Sequence, residues 1–200
     1  MNKTNYFFNF LTSYHNIFFK VLFFEIFYSI RFGELLPKIK VQNSYSKTDT
    51  VPCIYYFLHE LSKFLKKRDI KSIVDVGSGY GRVVNFVSSI NNIKSYGIEY
   101  DREVFNYALK NKKNKVNLFC GDILNFNIKK LKSNCFILVD PFKNTKDRNK
   151  LLTKIKKLYP GKIKYVILIN DYKHKFSKEF KLIHCITGSK RRSLKIFEIY

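Results

Sequence analysis

Tryptophan is absent from the 200 residues, cysteine and proline occur four times each, and aspartate plus glutamate number only 15. Each shortage excludes something. Cys53, Cys120, Cys135 and Cys185 stand apart, with no C-x-x-C and no Cys/His cluster, so neither a disulfide framework nor a zinc site is expected, and a cytoplasmic setting fits. His15, His59, His174 and His184 share no ligand spacing, and no metal is expected. The longest weakly interrupted apolar stretch, Ile17 to Ile30, is 14 residues, short of the roughly 20 that span a bilayer. No small-residue cleavage site follows it, which argues against a signal peptide. No internal repeat and no Ser-His-Asp or paired-carboxylate arrangement is visible.

The shortage of acids leaves a net charge of +23 against 38 Lys and Arg. Such a chain is attracted to phosphate-rich partners, nucleic acid or an anionic membrane, with binding that falls steeply with salt. The lysines are nevertheless scattered over helix faces and loops, as at Lys110, Lys129, Lys154 and Lys157, with no zinc knuckle or helix-turn-helix pattern. A solvated basic surface is the plainer reading. Apolar residues at 46% suffice for a filled core in one domain plus an appendage.

What is present concentrates between Ile73 and Val84, I-V-D-V-G-S-G-Y-G-R-V-V. Ile73, Val74 and Val76 suit a strand covered on both faces, with Asp75 near its carboxyl end. Gly77, Gly79 and Gly81 let the backbone turn tightly and approach a ligand with no Cβ in the way. Val83, Val84, Phe86 and Val87 then form the apolar face of a helix. Ile93 to Glu99 reads as a second strand, and Glu99 falls 22 positions after Gly77, where a nucleotide-binding unit carries its ribose carboxylate. A third strand, Val116 to Cys120, leads to Gly121-Asp122-Ile123, where Asp122 is placed to accept from an adenine amino group and Ile123 to pack on the ring. The three strand ends describe an adenosine pocket. The glycine pattern D-x-G-x-G-x-G differs from the dinucleotide fingerprint G-x-G-x-x-G, whose third small residue would fall at Arg82.

In these residues the chain resembles the class I S-adenosylmethionine-dependent methyltransferases. Asp75 to Gly81 looks like their first motif, Glu99 like the ribose acid, Gly121-Asp122-Ile123 like the adenine contact, and Val139-Asp140-Pro141-Phe142 like the fourth-strand motif beside the reactive methyl. The match runs from about Thr48 to the C-terminus. It implies S-adenosylmethionine as cofactor, bound by Asp75, Gly77, Ser78, Gly79, Gly81, Glu99, Asp122 and Ile123, and a catalytic group of Asp140, Pro141 and Phe142. Amino-directed members commonly have two prolines at the last site; a group of small bacterial enzymes reads N-P-F there and is more similar. Tyr45-x-x-Thr48 resembles a loop that folds over the methionine end of the cofactor in those bacterial enzymes, which read Y-x-P-T, and in the non-SET histone-lysine methyltransferases of the disruptor-of-telomeric-silencing type. The resemblance implies transfer to an amine or other nucleophile on an unidentified acceptor: a protein lysine, a small molecule or a glycan. A nucleic-acid methyltransferase, or a non-catalytic basic module binding membrane or nucleic acid, is the alternative, and a nicotinamide oxidoreductase would use the same strand, turn and helix.

Local readings of the residues stand beside that resemblance. Asp140 would otherwise cap a helix starting near Asn144, and Thr50 or Asp49 is the expected N-cap of a helix carrying Ile54, Phe57, Leu58, Leu61 and Leu65 on one face. His174, with Asn170, Asp171 and Tyr172, is a further candidate for the substrate side. Cys135 to Val139 and Ile163 to Ile169 are expected strands around a helix from Thr145 to Leu158; Phe180 to Ile186 and Leu194 to Ile199 read as a hairpin turned by Thr187 to Arg191. The expected fold is therefore α/β: a three-layer, Rossmann-like, seven-stranded sheet with an antiparallel terminal hairpin. Residues 1–43 read as an aromatic-rich helical extension and linker, and 44–200 as the catalytic domain. The extension has three readings: a helix packed on the domain, an interfacial helix on an anionic membrane giving peripheral attachment, or an oligomer contact.

Overall fold

The computed structural model describes residues 3–34, 39–40, 49–170 and 178–200. Two helices open it, α1 (Lys3–Thr12) and α2 (Phe18–Phe32), joined by a 3-10 turn at His15–Ile17. After them come α3 (Tyr55–Lys67), β1 (Ser72–Val76), α4 (Arg82–Asn91), β2 (Lys94–Glu99), α5 (Arg102–Lys110), β3 (Val116–Cys120), β4 (Cys135–Val139), α6 (Thr145–Lys156), β5 (Lys164–Ile169), β6 (Lys181–Ser189) and β7 (Arg192–Ile199). The seven strands form one sheet in the order β3-β2-β1-β4-β5-β7-β6. The first five are parallel, and β7 inserts antiparallel between β5 and β6.

Strand pleating assigns alternate residues to opposite faces, and the two faces carry separate cores. Ile73, Cys135, Ile137, Ile167 and Ile169 meet α1 to α4 on one side; Val74, Val76, Phe136, Leu138, Val166 and Leu168 meet α6 on the other. Covering on both faces explains why β1, β4 and β5 read as continuous apolar runs. The strand order reverses between β1 and β4, and at such a switch point the crevice beyond the carboxyl ends of the strands is where α/β sheets take ligands.

The N-terminal helices are part of the first core. Phe10, Leu11, Tyr14, Val21 and Tyr28 are buried in the same cluster as Ile54, Leu58 and Phe86. Asn170, at the end of β5, donates from Nδ2 to the Tyr14 hydroxyl at 3.0 Å, and Arg192 lies over the Phe10 ring at 4.6 Å.

Three local expectations are corrected. Helix α3 begins at Tyr55, not near Thr50: Ile54 is the N-cap residue with no side-chain cap, and Thr50 is bridged to Lys40. The first amide of this helix donates instead to Glu25 Oε1 at 2.5 Å, so a carboxylate from α2 sits at the positive end of the α3 dipole. The cap of α6 is Asn144, whose side chain accepts from Asp147 N at 2.8 Å, so Asp140 is not needed for that task. The terminal hairpin turns on Lys190 and Arg191 alone, because β6 runs on to Ser189. Gly188 marks a close approach rather than the turn: a Cβ there would stand 2.8 Å from Tyr14 Cδ1.

Candidate active site

The turn after β1 adopts a conformation that only its glycines accept readily. Gly77, Gly79 and Gly81 have φ of 71°, 54° and 88°, all left-handed. The amides of Gly77 and Ser78 donate to Ile98 O at 2.9 and 3.1 Å, tying the turn to β2. A Cβ on Gly77 would stand 3.0 Å from Pro141 Cβ, and one on Gly79 3.0 Å from Thr50 Cγ2. The turn is thus in contact with the segment after β4 on one side and with the entry to α3 on the other.

Glu99, at the end of β2, accepts from Gly79 N through Oε2 and from Asp101 N through Oε1, both at 2.8 Å. It is buried, and burial raises its pKa while those amide bonds oppose the rise. The amide of Tyr100 also bonds this carboxylate, which with about four lone-pair directions still has room for a ligand donor. Asp101 caps α5, accepting from the amides of Glu103 and Val104 at 3.0 and 3.1 Å.

Beyond β3, Asp122 Oδ1 accepts from Leu124 N at 2.9 Å, and Ile123 is buried. Lys154 of α6 holds this loop from behind, donating to Leu124 O at 2.9 Å and Phe126 O at 2.7 Å. One cavity is lined by the glycine turn, Asp75, Glu99, Asp122, Ile123, Pro141 and Phe142, and walled by Asp49 to Cys53. Asp49, Val51, Pro52 and Val139 also line a neighbouring cavity, together with Asp140, Lys143, Asn170, Arg192 and Phe10.

Asp75 is the most unusual group in this cavity. It is 1% exposed, and neither carboxyl oxygen has a hydrogen-bond partner among the described residues. Burial, with the charge of Glu99 added, pushes its pKa up to about 8. A buried carboxyl without a partner costs free energy unless something else satisfies it. Ser78 Oγ, nearby on the turn, is likewise buried and without a partner.

No family model matches the sequence, and no curated protein matches it. Solved structures do. An RNA methyltransferase from Salinibacter ruber, in complex with S-adenosyl-L-homocysteine, is 20% identical and superposes with a TM-score of 0.56, covering 74% of this chain and 94% of that one. A TehB-like SAM-dependent methyltransferase from Corynebacterium glutamicum is 13% identical with a TM-score of 0.52, covering 70% of this chain and 86% of that one. A mutant of MtNAS in complex with S-adenosylmethionine is 12% identical with a TM-score of 0.57, covering 72% and 61%. The chain has the S-adenosylmethionine-dependent methyltransferase fold.

In that fold the structure brings together the expected positions Asp75, Gly77, Ser78, Gly79, Glu99, Asp122, Ile123, Pro141 and Phe142 around one cavity, and places Asp140 on the adjoining one. Gly81 is the N-cap position of α4, immediately behind. Asp140 and Asn170, at the ends of β4 and β5, both have positive φ, 42° and 62°, which Asp and Asn accept more readily than other non-glycine residues. Tyr45, Thr48, Asp171, Tyr172 and His174 lie outside the described residues.

Sequence reasoning missed Arg82, Glu25 and Glu34. Arg82 is buried at the first turn of α4; its Nη1 donates to Glu25 Oε2 and to Cys53 O, and its Nε to Glu34 Oε2, each at 3.1 Å. The Tyr55 hydroxyl donates to Glu34 at 3.0 Å, and the guanidinium stacks on the Tyr55 ring at 4.2 Å. Burial raises the pKa of Glu25, against the charge of Arg82. The signal was present: Glu25 interrupts an apolar helix on the same face as the buried Val21, Tyr28 and Ser29. A lone acid on the inward face of an apolar helix requires a cationic partner.

The turn is also packed tightly from below. A Cβ on Gly97 of β2 would stand 2.6 Å from Leu118 Cδ2 and 2.7 Å from Ser78 Oγ. Gly97→Ala is therefore expected to destabilise the protein by about 1–3 kcal/mol through overpacking, read as a lower urea midpoint with an unchanged slope.

Proposed function

We propose that this protein transfers a methyl group from S-adenosylmethionine to an amine acceptor. The observation that carries the reading is the cavity at the ends of β1, β2 and β3, whose glycine turn, ribose-type carboxylate and unpartnered buried Asp75 fit an adenosyl group bearing an ammonium. Bound there, the cofactor supplies a sulfonium methyl already activated for direct displacement. Glu99 would accept from the ribose hydroxyls while keeping the turn in place through Gly79 N. Asp122 and Ile123 would hold the adenine, one by its carboxylate and one by packing. Asp75 would face the ammonium of the methionine end, the charged donor its orphan oxygens lack.

The acceptor would enter from the adjoining cavity. Asp140 lines its wall, and Pro141 and Phe142 stand on the cofactor side, so an amine between them would be oriented by the Asp140 carboxyl and packed by the Phe142 ring. Orientation of this kind is the main requirement of a direct displacement, worth about 7–11 kcal/mol in the best intramolecular cases. Tyr45 and Thr48, in the segment leading to the Asp49–Cys53 wall, would cover the methionine end. A protein lysine, a small molecule or a glycan amine all meet this chemistry. A nucleic-acid acceptor is the second reading, favoured by the net charge of +23 and distinguished by methyl incorporation into RNA that collapses between low and high salt.

Calorimetric titration with S-adenosylmethionine, S-adenosylhomocysteine and NAD tests the proposal. Both sulfur ligands are expected to bind, and Glu99→Ala to weaken them by at least roughly tenfold, since it removes charge-assisted bonds to the ligand and the anchor of Gly79. Binding of NAD alone would turn the site into an oxidoreductase site. A folded protein that binds none of the three would be the non-catalytic module.

A further inference from the structure

We infer that the outward face of α2 docks on an anionic lipid surface. Phe19, Phe23, Ile26, Phe27 and Ile30 recur at helical spacing along this face and are between 48% and 83% exposed. Phe8 of α1 adds a further exposed ring. The orientation is set from behind: Val21, Glu25, Tyr28 and Ser29 are buried against the domain, and Glu25 is locked to Arg82 and to the first amide of α3. The apolar face therefore cannot roll inward without breaking a buried ion pair. Among the exposed rings, Phe23 and Phe27 stack at 6.2 Å, which makes a continuous apolar ridge.

Charge selects lipid over the other occupants. Glu25 is the only acid in the first 33 residues, and it points inward, so the solvent side of α2 carries Lys20 and Arg31 and no negative charge. The neighbouring α3 presents Lys66 and Lys67 on its exposed side, with Lys63 paired to Glu60 at 2.8 Å. A second copy of a chain with net charge +23 would be repelled, whereas an anionic bilayer is attracted, at about 1 kcal/mol for each Lys or Arg near the surface. The helix lies along such a surface rather than through it: its 15 residues measure about 22 Å, less than the ~30 Å hydrocarbon layer. Among the described residues no helix is long and apolar enough to cross a membrane.

The test is co-sedimentation with vesicles of phosphatidylcholine alone and of phosphatidylcholine with phosphatidylserine. Binding only to the anionic vesicles, weakened by high salt, is expected. The double variant Phe19→Ser with Phe23→Ser removes only exposed rings and is expected to lower the partition coefficient by roughly tenfold or more. Lys20→Glu with Arg31→Glu, which leaves the apolar ridge intact, should lower it on anionic vesicles by a comparable factor. Because the chain has no tryptophan, Phe23→Trp gives a clean probe, with a blue-shifted emission expected on anionic vesicles. Equal binding to both vesicle types, no binding to either, or a concentration-dependent dimer dissolved by Phe19→Ser would each overturn the inference. Cofactor titration of the same variants is independent of these readouts.

Discussion

Binding of S-adenosylmethionine is expected to release close to one proton at pH 7, and Asp75→Asn is expected to abolish that release. Asp75 holds its proton to about pH 8 because it is buried, without a partner among the described residues, and near Glu99. At pH 7 the free protein thus carries about nine-tenths of a proton there. An ammonium brought against the carboxyl favours the charged form, so binding expels the proton. Titrations in two buffers of different ionisation heat read the number directly. The same group makes affinity rise from pH 6 towards about pH 8, above which the ligand's own α-amino group loses its proton, and the variant should bind roughly 10 to 100 times more weakly near pH 8.

Stability without ligand should run the other way. The folded-state pKa lies above the unfolded value, so the contribution of Asp75 is complete below about pH 4 and is lost progressively up to about pH 8. At pH 7 the unfolded chain has ionised this group and the folded one has not, a handicap of up to about 4 kcal/mol. Asp75→Asn removes it, so the variant is expected to be more stable at pH 7 and equal to the parent near pH 4. A variant no more stable at pH 7 would mean that the carboxyl is satisfied within the protein. A more stable variant would mean that the site gains binding strength at the expense of fold stability, as functional sites commonly do.

Glu25→Ala is expected to cost about 3–5 kcal/mol, because it takes from Arg82 its fully buried carboxylate partner, leaving the partly exposed Glu34, and it uncaps α3. Arg82→Met alone should cost a similar amount by leaving Glu25 unpaired, while Glu25→Leu combined with Arg82→Met should recover most of the loss. Urea denaturation of the double variant and of Arg82→Met and Glu25→Leu alone gives the coupling energy. The functional readout is separate: Arg82 binds the carbonyl of Cys53, which belongs to the cavity wall, so cofactor affinity should fall even where the fold persists. The N-terminal helices are in this sense part of the machinery of the site and not a removable appendage.

Most of the fold was legible because its signals are local. The apolar runs of β1, β4 and β5 are continuous since both sheet faces are covered, and the helix from Arg82 shows its inward side as Val83, Val84, Phe86 and Val87. The hairpin was legible as two strands but misplaced at its turn, because Gly188 serves the packing of Tyr14, a partner more than 170 residues away in sequence. The start of α3 failed for the same reason. Its cap comes from Glu25, 30 residues upstream, where local rules look only at Asp49 and Thr50.

The sequence by itself determined the turn, the strand-end carboxylates and their order, since D-x-G-x-G-x-G and an acid 22 residues on are constraints between neighbours along a strand and its turn. Only the tertiary structure decided what surrounds them: that Asp75 has no partner among the described residues, that Glu99 anchors the turn as well as facing the cavity, and that Arg82 joins α2 to the wall. The physical reason is that burial and pairing depend on chain segments brought together from far apart, and a charge records its partner nowhere in its own neighbourhood.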